Sequence, residues 1–469
     1  MDNETLKQIV TEVVASVIDK EHHQGFSSSD SYGVFSDIDT AVKEASLSQA
    51  ELLKLSLEKR ARIIEAIRQC ALSHDEEFAR VTFEETGMGR YEDKITKVHI
   101  AATRTPGLED LKTDSFSGDH GLTIEERSPY GVIGSVTPST HPVPTLINNA
   151  ISMISAGNSV VFNPHPASKK VFQYAVVLFN RAVEKCGGPV NLMTCVTEPT
   201  IQTAQAMFAH PDIDLLVITG GPGVVKEAMK YEKRVIGAGP GNPPVIVDES
   251  ADMKKAAKSI VDGATFDNNI FCTSEKEIFV LECVYEKLKQ ELLHYHSYEL
   301  SPSQIDQLTR VAITDNTGEH PVMNRELVGR NASVLANAIN LKIDDSIRLL
   351  TGEVEENHIF VRAEQLMPFM PIVRVKDIDQ AIDLAIKHEH GFHHTAVMHS
   401  LNLDHLDQMA KRSKVTIFVK NGPSIAGLGV GGQGTTTFTI AGTTGEGITT
   451  ARTFTRMRRC VLVDHFRIV

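Results

Sequence analysis

The feature that most constrains this chain is a repeated strand-then-helix text. "YGVIGSVTP" (130–138) reads as a strand entering a proline turn, and "TLINNAISMISAG" (145–157) as a helix with Gly157 just past its end. "NSVVFNPHP" (158–166) is strand then loop, and "KKVFQYAVVLFNRAVEKCG" (169–187) is helix. "VNLMTCV" (190–196) is strand, "PTIQTAQAMFAH" (199–210) helix, and "DLLVITGGPG" (214–223) a strand ending in a glycine turn before helix "VVKEAMKY". Such alternation predicts an α/β fold: a mostly parallel sheet, helices on both faces, and ligands at the carboxyl ends of the strands. The loops "TPSTHP", "NPHP" and "TGGPG" fall at those ends. Residues 36–79 carry a 3.6-residue apolar stripe and read as helical. A second alternating block runs from about 240 to 424, with "NPPVIVDES", "EKEIFVLEC", "RVAIT", "FMPIVRV", "TAVMHS" and "VTIFVK" as candidate strands. Two α/β domains follow from this, with a glycine- and threonine-rich tail from 425.

The front of the chain is different. In "MDNETLKQIVTEVVASVIDK" (1–20) apolar side chains recur at i, i+3, i+4, i+7, a single helical stripe. "EHHQGFSSSDSYG" (21–33) then reads as a flexible linker. The acidic start and the alternating pattern argue against a secretory signal. The tether favours a helix that docks on a partner over one packed on its own domain.

Net charge −13, from 47 basic and 60 acidic residues, argues against nucleic acid or an anionic membrane as the main partner. No apolar run approaches the roughly 20 residues of a membrane span. Six cysteines are scattered without CxxC spacing, so a disulfide framework is not expected and a reducing cytoplasm is the simplest home. The sequon "NAS" (331–333) is read as chance.

Among chemical candidates, "TGGPG" with its following helix could cradle a phosphate, but it lacks the full GxGxxG and the P-loop lysine. "HEHGFHH" (388–394) gathers four histidines, yet a helix end passing through Gly391 into a strand sends their rings apart, so no metal site is expected. Ser139 has no nucleophile-elbow glycines around it. Cys272, in "FDNNIFCTSEKE", sits in a loop-like setting. The residues alone leave it open between an inert buried thiol and a nucleophile, because an activated thiol needs an electropositive pocket. Asp267-Asn268-Asn269 before it reads as shaping its loop.

Several stretches together resemble the aldehyde dehydrogenase superfamily, and within it the CoA-acylating enzymes of bacterial microcompartments, of the ethanolamine- and propanediol-utilisation type. They are "SPYGVIGSVTPSTHPVPTLINNAISMISAGNSVVFNPHPASKK" (128–170), "VITGGPGVVKEAM" (217–229), "GAGPGNPPVIVDESADM" (237–253), "FDNNIFC" (266–272) and "GLGVGGQGTTTFTIAGTTGEGITTARTFTRMRRC" (427–460). The resemblance covers the chain from about residue 30. It implies two Rossmann-like α/β domains plus an oligomerisation flap in a dimer or tetramer. The chain then divides into a targeting helix (1–20), a linker (21–35), an NAD-binding domain (36–238) with an oligomerisation hairpin (113–130), a catalytic domain (239–424) and a C-terminal return segment (425–469).

The resemblance also assigns roles. Cys272 takes the place of the family's nucleophile, forming a thiohemiacetal and then a thioester. Its backbone N–H is one oxyanion donor. Where the family usually has an asparagine as the second, this chain offers Thr140, with His141 beside it. Thr137, Pro138, Gly220, Gly221 and Val224 map onto adenine and diphosphate contacts, and Glu364 onto the glutamate at the nicotinamide ribose. Asn163, with Pro166, stands at the adenine ribose in place of the usual lysine and glutamate, and His165 lies between them. With no cation there for a 2′-phosphate, NAD is favoured over NADP. The glutamate that activates water in hydrolytic members is replaced by Gly237, with no carboxylate between Arg234 and Asp248. That agrees with transfer of the acyl group to coenzyme A. The implied substrate is acetaldehyde or propionaldehyde, and the implied setting is the cytoplasm, inside a microcompartment whose shell binds residues 1–20. A hydrolytic dehydrogenase and a non-catalytic shell-binding scaffold are the competing readings.

Overall fold

A computed structural model describes residues 32–315 and 321–468. The amphipathic segment 1–20 and most of the linker lie outside the described residues. The helical text of 36–79 resolves into three helices, Ile38–Leu52, Leu57–Ser73 and Asp75–Thr86. Capping side chains start the first two: Asp37 accepts from the Thr40 amide and Ser56 from the Lys59 amide. A fourth helix, Tyr91–Arg104, follows.

The first sheet has six parallel strands in the order Val34–Phe35, Met193–Val196, Ser159–Pro164, Val132–Thr137, Leu215–Thr219 and Arg234–Ala238. Val34 and Phe35, placed in the linker from sequence, pair with Cys195 and Val196 as the edge strand. Two residues are too short to show a period of two, so the pairing was invisible in the text. The chain builds outward from Val132–Thr137 on one side, then returns to add Leu215–Thr219 on the other. That reversal opens a crevice at the carboxyl ends of these two neighbours.

The second sheet has seven parallel strands in the order Ser297–Glu299, Leu349–Glu353, Phe369–Val375, Glu277–Leu281, Pro244–Val247, Thr395–His399 and Ile417–Lys420. "RVAIT" is not one of them. Residues Pro302–Ala312 form a helix that buries Ile305, Leu308 and Ala312, and only Ile313–Asp315 is extended, paired with Val322–Met323. Read locally, β-branched Val311, Ile313 and Thr314 outweigh the i, i+3, i+7 pattern of Ile305, Leu308 and Ala312. Both sheets are buried on their two faces, so their strands read as near-continuous apolar runs.

A third, antiparallel sheet stands apart. Asp114–Gly118 pairs with Gly121–Pro129, and Gly121–Pro129 pairs along its whole length with the C-terminal strand Thr455–Val463. Phe116, Met457, Val461 and Val463 are exposed on it. Its root is stapled by buried Asn158. The Asn158 Oδ1 accepts from the Tyr130 and Gly131 amides at 2.8 and 3.0 Å, and Nδ2 donates to the carbonyls of Met153 and Phe454 at 3.1 and 3.0 Å. One side chain thus ties the hairpin, helix Pro142–Ser155 and the C-terminal segment together.

Replacing Asn158 by alanine leaves two buried carbonyls and two partly buried amides without this partner. The variant is expected to lose about 2–4 kcal/mol in urea unfolding, and an unchanged midpoint would show that Asn158 is no staple.

Candidate active site

The carboxyl edge of the first sheet carries the residues expected to hold a dinucleotide. Thr137 ends strand Val132–Thr137 and Pro138 follows it. Gly220 and Gly221 follow strand Leu215–Thr219, and Val224 lies in the first turn of helix Pro222–Ala228. The Thr137 hydroxyl is buried without a partner, and a Cβ on Gly221 or Gly223 would meet nothing within 4 Å. An orphaned donor beside an open glycine turn at the sheet reversal fits a phosphate-bearing dinucleotide. On the next strand, Ser159–Pro164, the Asn163 side chain accepts from the Thr203 hydroxyl at 2.6 Å and donates to the Thr200 carbonyl at 3.4 Å. His165 is exposed just beyond, its Nδ1 accepting from the Ala167 amide at 3.1 Å.

Cys272 belongs to the other sheet. It lies on the irregular segment between helix Met253–Ala264 and strand Glu277–Leu281, at the sheet's amino edge. The preceding Asp267, Asn268 and Asn269 are three consecutive left-handed residues, with φ of 47°, 55° and 67°. Aspartate and asparagine tolerate that region best among residues with a side chain, and here each side chain also anchors the turn. Asp267 accepts from Lys97 Nζ at 2.6 Å, Lys94 Nζ at 3.2 Å and the Arg90 amide at 2.6 Å. Asn268 Nδ2 donates to the Gly329 carbonyl at 2.9 Å and to Asn331 Oδ1 at 2.8 Å. Asn269 Nδ2 donates to the carbonyls of Ala264 and Glu275, both at 2.8 Å. The loop-shaping expected of these residues therefore has a concrete form. Asp267 also carries the turn across to helix Tyr91–Arg104 of the first unit.

The charged run after the cysteine is wholly buried. Lys276 Nζ donates to the Asn269 carbonyl at 2.9 Å, Asn269 Oδ1 at 2.5 Å and the Phe271 carbonyl at 3.3 Å. Glu275 accepts from the Ser424 amide and hydroxyl, both at 2.8 Å, and burial pushes its carboxyl up to about 7. Burial lowers Lys276 to about 8, against the pull of Glu364, Cys272, Glu275 and Glu277. Glu364 reaches this site from far along the chain and accepts from the Gly241 amide at 3.4 Å. Burial raises its carboxyl, with Lys276 opposing. Half-buried Cys272 has its thiol pushed up to about 12, first by burial and then by Glu364, with Lys276 and Lys97 pulling the other way.

Backbones meet closely beside the cysteine. A Cβ on Gly241 would stand 2.6 Å from the Cys272 carbonyl oxygen and 3.0 Å from His394 Cγ. His394 is buried, held at about 3 by burial and then Lys276, and its Nε2 has no partner. The other rings of "HEHGFHH" diverge: His388 stacks on Phe279, His390 Nε2 lies 2.9 Å from the Arg362 carbonyl, and His393 Nδ1 lies 3.2 Å from the Lys414 carbonyl.

Thr140 and His141 take separate positions. The Thr140 hydroxyl is 2.9 Å from His141 Nδ1, and the Thr140 carbonyl accepts from Lys97 at 3.4 Å. The buried His141 ring faces Phe271 at 5.4 Å and Phe438 at 5.7 Å. Burial and the nearby lysines hold it well below the usual imidazole range. At Gly237 a Cβ would meet Val225 at 2.9 Å, Thr444 at 3.5 Å and Thr443 at 3.9 Å, so the C-terminal segment fills the space. The Gly237 amide donates to the Thr444 hydroxyl at 3.0 Å.

Lys97, Lys276, Gly241 and His394 were missed from sequence as parts of this site. One signal was available: Lys94 and Lys97 share the buried stripe of their helix with Val98 and Ala101. Lysines on an apolar face demand buried acceptors.

A thiol at about 12 is protonated at neutral pH. Capture of Cys272 by iodoacetamide in the cofactor-free protein is therefore expected to rise about tenfold per unit between about pH 6 and 9 without levelling. A plateau near neutrality would show a thiolate already held.

Comparison with known proteins agrees with this geometry. The profile of the aldehyde dehydrogenase family matches residues 31–451. The chain is 49% identical over 472 residues to acetaldehyde dehydrogenase (acetylating) EutE of Salmonella typhimurium, covering 100% of both. It is 46% identical to propanal dehydrogenase (CoA-propanoylating) of Citrobacter freundii, covering 93% of this chain and 94% of that one. The crystal structure of Rhodopseudomonas palustris propionaldehyde dehydrogenase, with bound CoA and an acylated cysteine, superposes with a TM-score of 0.90 at 47% identity, covering 94% of this chain and 99% of that one. A propionaldehyde dehydrogenase from the Clostridium phytofermentans fucose utilisation microcompartment gives a TM-score of 0.91 at 44% identity, covering 93% of this chain and 100% of that one. The two facing parallel sheets, the cysteine turn between them and these similarities place the chain in the aldehyde dehydrogenase family.

Proposed function

We propose that the chain oxidises a short aldehyde, propionaldehyde or acetaldehyde, and passes the acyl group to coenzyme A by way of Cys272. The Cys272 sulfur, once deprotonated, adds to the aldehyde carbon and the carbonyl pair moves onto oxygen. The Cys272 N–H donates to that oxygen. For the second donor we favour His141 over Thr140. With the Thr140 hydroxyl donating to Nδ1, the neutral imidazole carries its proton on Nε2, on a ring that faces the residue before the nucleophile. NAD, when bound, supplies the hydride acceptor. Loss of hydride from the carbon restores the carbonyl and leaves a thioester on Cys272. The CoA sulfur then adds to the thioester carbon, and the Cys272 thiolate departs.

The observation that carries transfer to CoA is Gly237, backed by Val225, Thr443 and Thr444 where a carboxylate would have to fit. The next acid along this stretch, Asp248, is held beyond strand Pro244–Val247 by Ser250 and His405. Without a base of that kind, water loses roughly 10²–10⁴-fold of assistance, whereas a thiol needs less. One feature favours hydrolysis as the second reading: the raised carboxyl of Glu364 lies within electrostatic reach of Cys272.

On the expected reading, NADH formation without CoA stops at about one equivalent per subunit and resumes on adding CoA, with acyl-CoA as product. Full-rate NADH and free acid without CoA would establish hydrolysis. His141→Ala is expected to lower kcat roughly 10²–10³-fold, with Thr140→Ala much milder. The reverse ranking would return the oxyanion role to Thr140. Parallel titrations with NAD and NADP decide cofactor preference.

The microcompartment origin of the Clostridium phytofermentans relative, the amphipathic stripe of 1–20 and the linker support encapsulation through that segment. No helix among the described residues is long and apolar enough to cross a membrane. The exposed apolar side chains on the three-stranded sheet support a homo-oligomer, dimer or tetramer, closed through it. Deleting residues 1–20 is expected to leave turnover intact and abolish co-sedimentation with shells; a truncated enzyme that still co-sediments would overturn the targeting role.

A further inference from the structure

Two buried ammonium groups converge on Phe271, the residue before Cys272, from different parts of the fold. Lys276 comes from the start of strand Glu277–Leu281 and donates to the Phe271 carbonyl at 3.3 Å. Lys97 comes from helix Tyr91–Arg104, in the other unit, and stands 4.8 Å over the Phe271 ring. Each also grips the left-handed turn, Lys276 at Asn269 and Lys97 at Asp267, and Lys97 reaches the Thr140 carbonyl as well.

We propose that Lys97 and Lys276 are the positioning pair that makes Cys272 competent: together they lock the turn and supply the positive field that its thiolate requires. This rests on the reading of Cys272 as the nucleophile. A thiolate in a buried site needs compensating cations. The groups that act on this thiol are Lys276 on its own segment, Lys97 across the interface, and Glu364 from the loop after Ile359–Arg362, which opposes them. The rings of His141 and His394 are neutral and add no charge.

Lys94 is the internal control. It is also buried and binds the same Asp267, at 3.2 Å, but the Thr140 hydrogen bond and the cation–π contact with Phe271 are made by Lys97. A role confined to holding Asp267 would make the Lys94 and Lys97 variants alike, since both bind that carboxylate. Lys97 alone bridges Asp267, Phe271 and the Thr140–His141 corner. It therefore couples the nucleophile to the oxyanion side of the site.

The test is the pH profile of Cys272 capture by radiolabelled iodoacetamide, located by peptide mapping, in wild type and in Lys97→Met, Lys97→Arg, Lys94→Met and Glu364→Gln. Lys97→Met is expected to displace the profile upward by about one unit, so that capture is about tenfold slower at fixed pH. Lys97→Arg recovers most of that loss, and Lys94→Met stays within about twofold of wild type. Glu364→Gln, at a half-buried position with one long hydrogen bond, moves the profile the opposite way and speeds capture. Equal slowing in the Lys94 and Lys97 variants would overturn the inference. So would unchanged capture in Lys97→Met. If Lys97→Met does not fold, the absence of acceleration in Glu364→Gln overturns it instead. Dehydrogenase turnover retained by Cys272→Ala would sink the underlying reading separately, whatever the capture profiles show.

Discussion

The site depends on one buried ion cluster. Asp267, fully buried, is shared by Lys94 and Lys97 and by the Arg90 amide. Burial alone would raise its carboxyl, but the two lysines outweigh that and hold it below the usual range. Taking such charges out of water costs several kcal/mol per ion unless every partner is in place. The arrangement therefore specifies geometry more than it stabilises the fold. It fixes the turn before Cys272 onto helix Tyr91–Arg104, and so ties that turn to the part of the fold that carries Thr137, Gly220 and Gly221.

From that tie follows the opposed layout of the two sheets. The first presents its carboxyl edge, where Thr137, Pro138, Gly220 and Gly221 sit at the strand-order reversal. The second presents its amino edge. Gly241 precedes strand Pro244–Val247, Cys272 precedes Glu277–Leu281, Glu364 comes before Phe369–Val375, and His394 precedes Thr395–His399. Four separate chain segments thus enter the site at the same end of one sheet. Gly241 permits the closest of these approaches because any Cβ there would strike the Cys272 carbonyl.

Much of the fold was legible because it is local. Strands buried on both faces produce runs such as "LLVIT" and "EIFVL", and the apolar stripe of 36–79 marks helix. What misled was short or context-bound: the two-residue strand Val34–Phe35 has no period to detect, and "RVAIT" owes its helix to packing of Ile305 and Leu308. In the site, Cys272 and Glu364 were found through motif resemblance. Their meeting, 92 positions apart, belongs to the fold. Asn163, which the resemblance puts at a ribose, also braces a helix start through Thr200 and Thr203.

The sequence alone determined the α/β alternation, the lack of any carboxylate between Arg234 and Asp248, and the identity of the cysteine-bearing segment, because each is written in a contiguous stretch. Tertiary structure decided the electrostatics. The charged run after Cys272 gives no sign of burial in the sequence, yet its Lys276 and the helix residue Lys97 are buried against the same phenylalanine. Whether a charge is solvated or desolvated depends on what packs over it, and those covering residues come from distant parts of the chain. The same folding turned Asp-Asn-Asn from a featureless polar loop into three left-handed residues, each held by its own set of partners, immediately before the nucleophile.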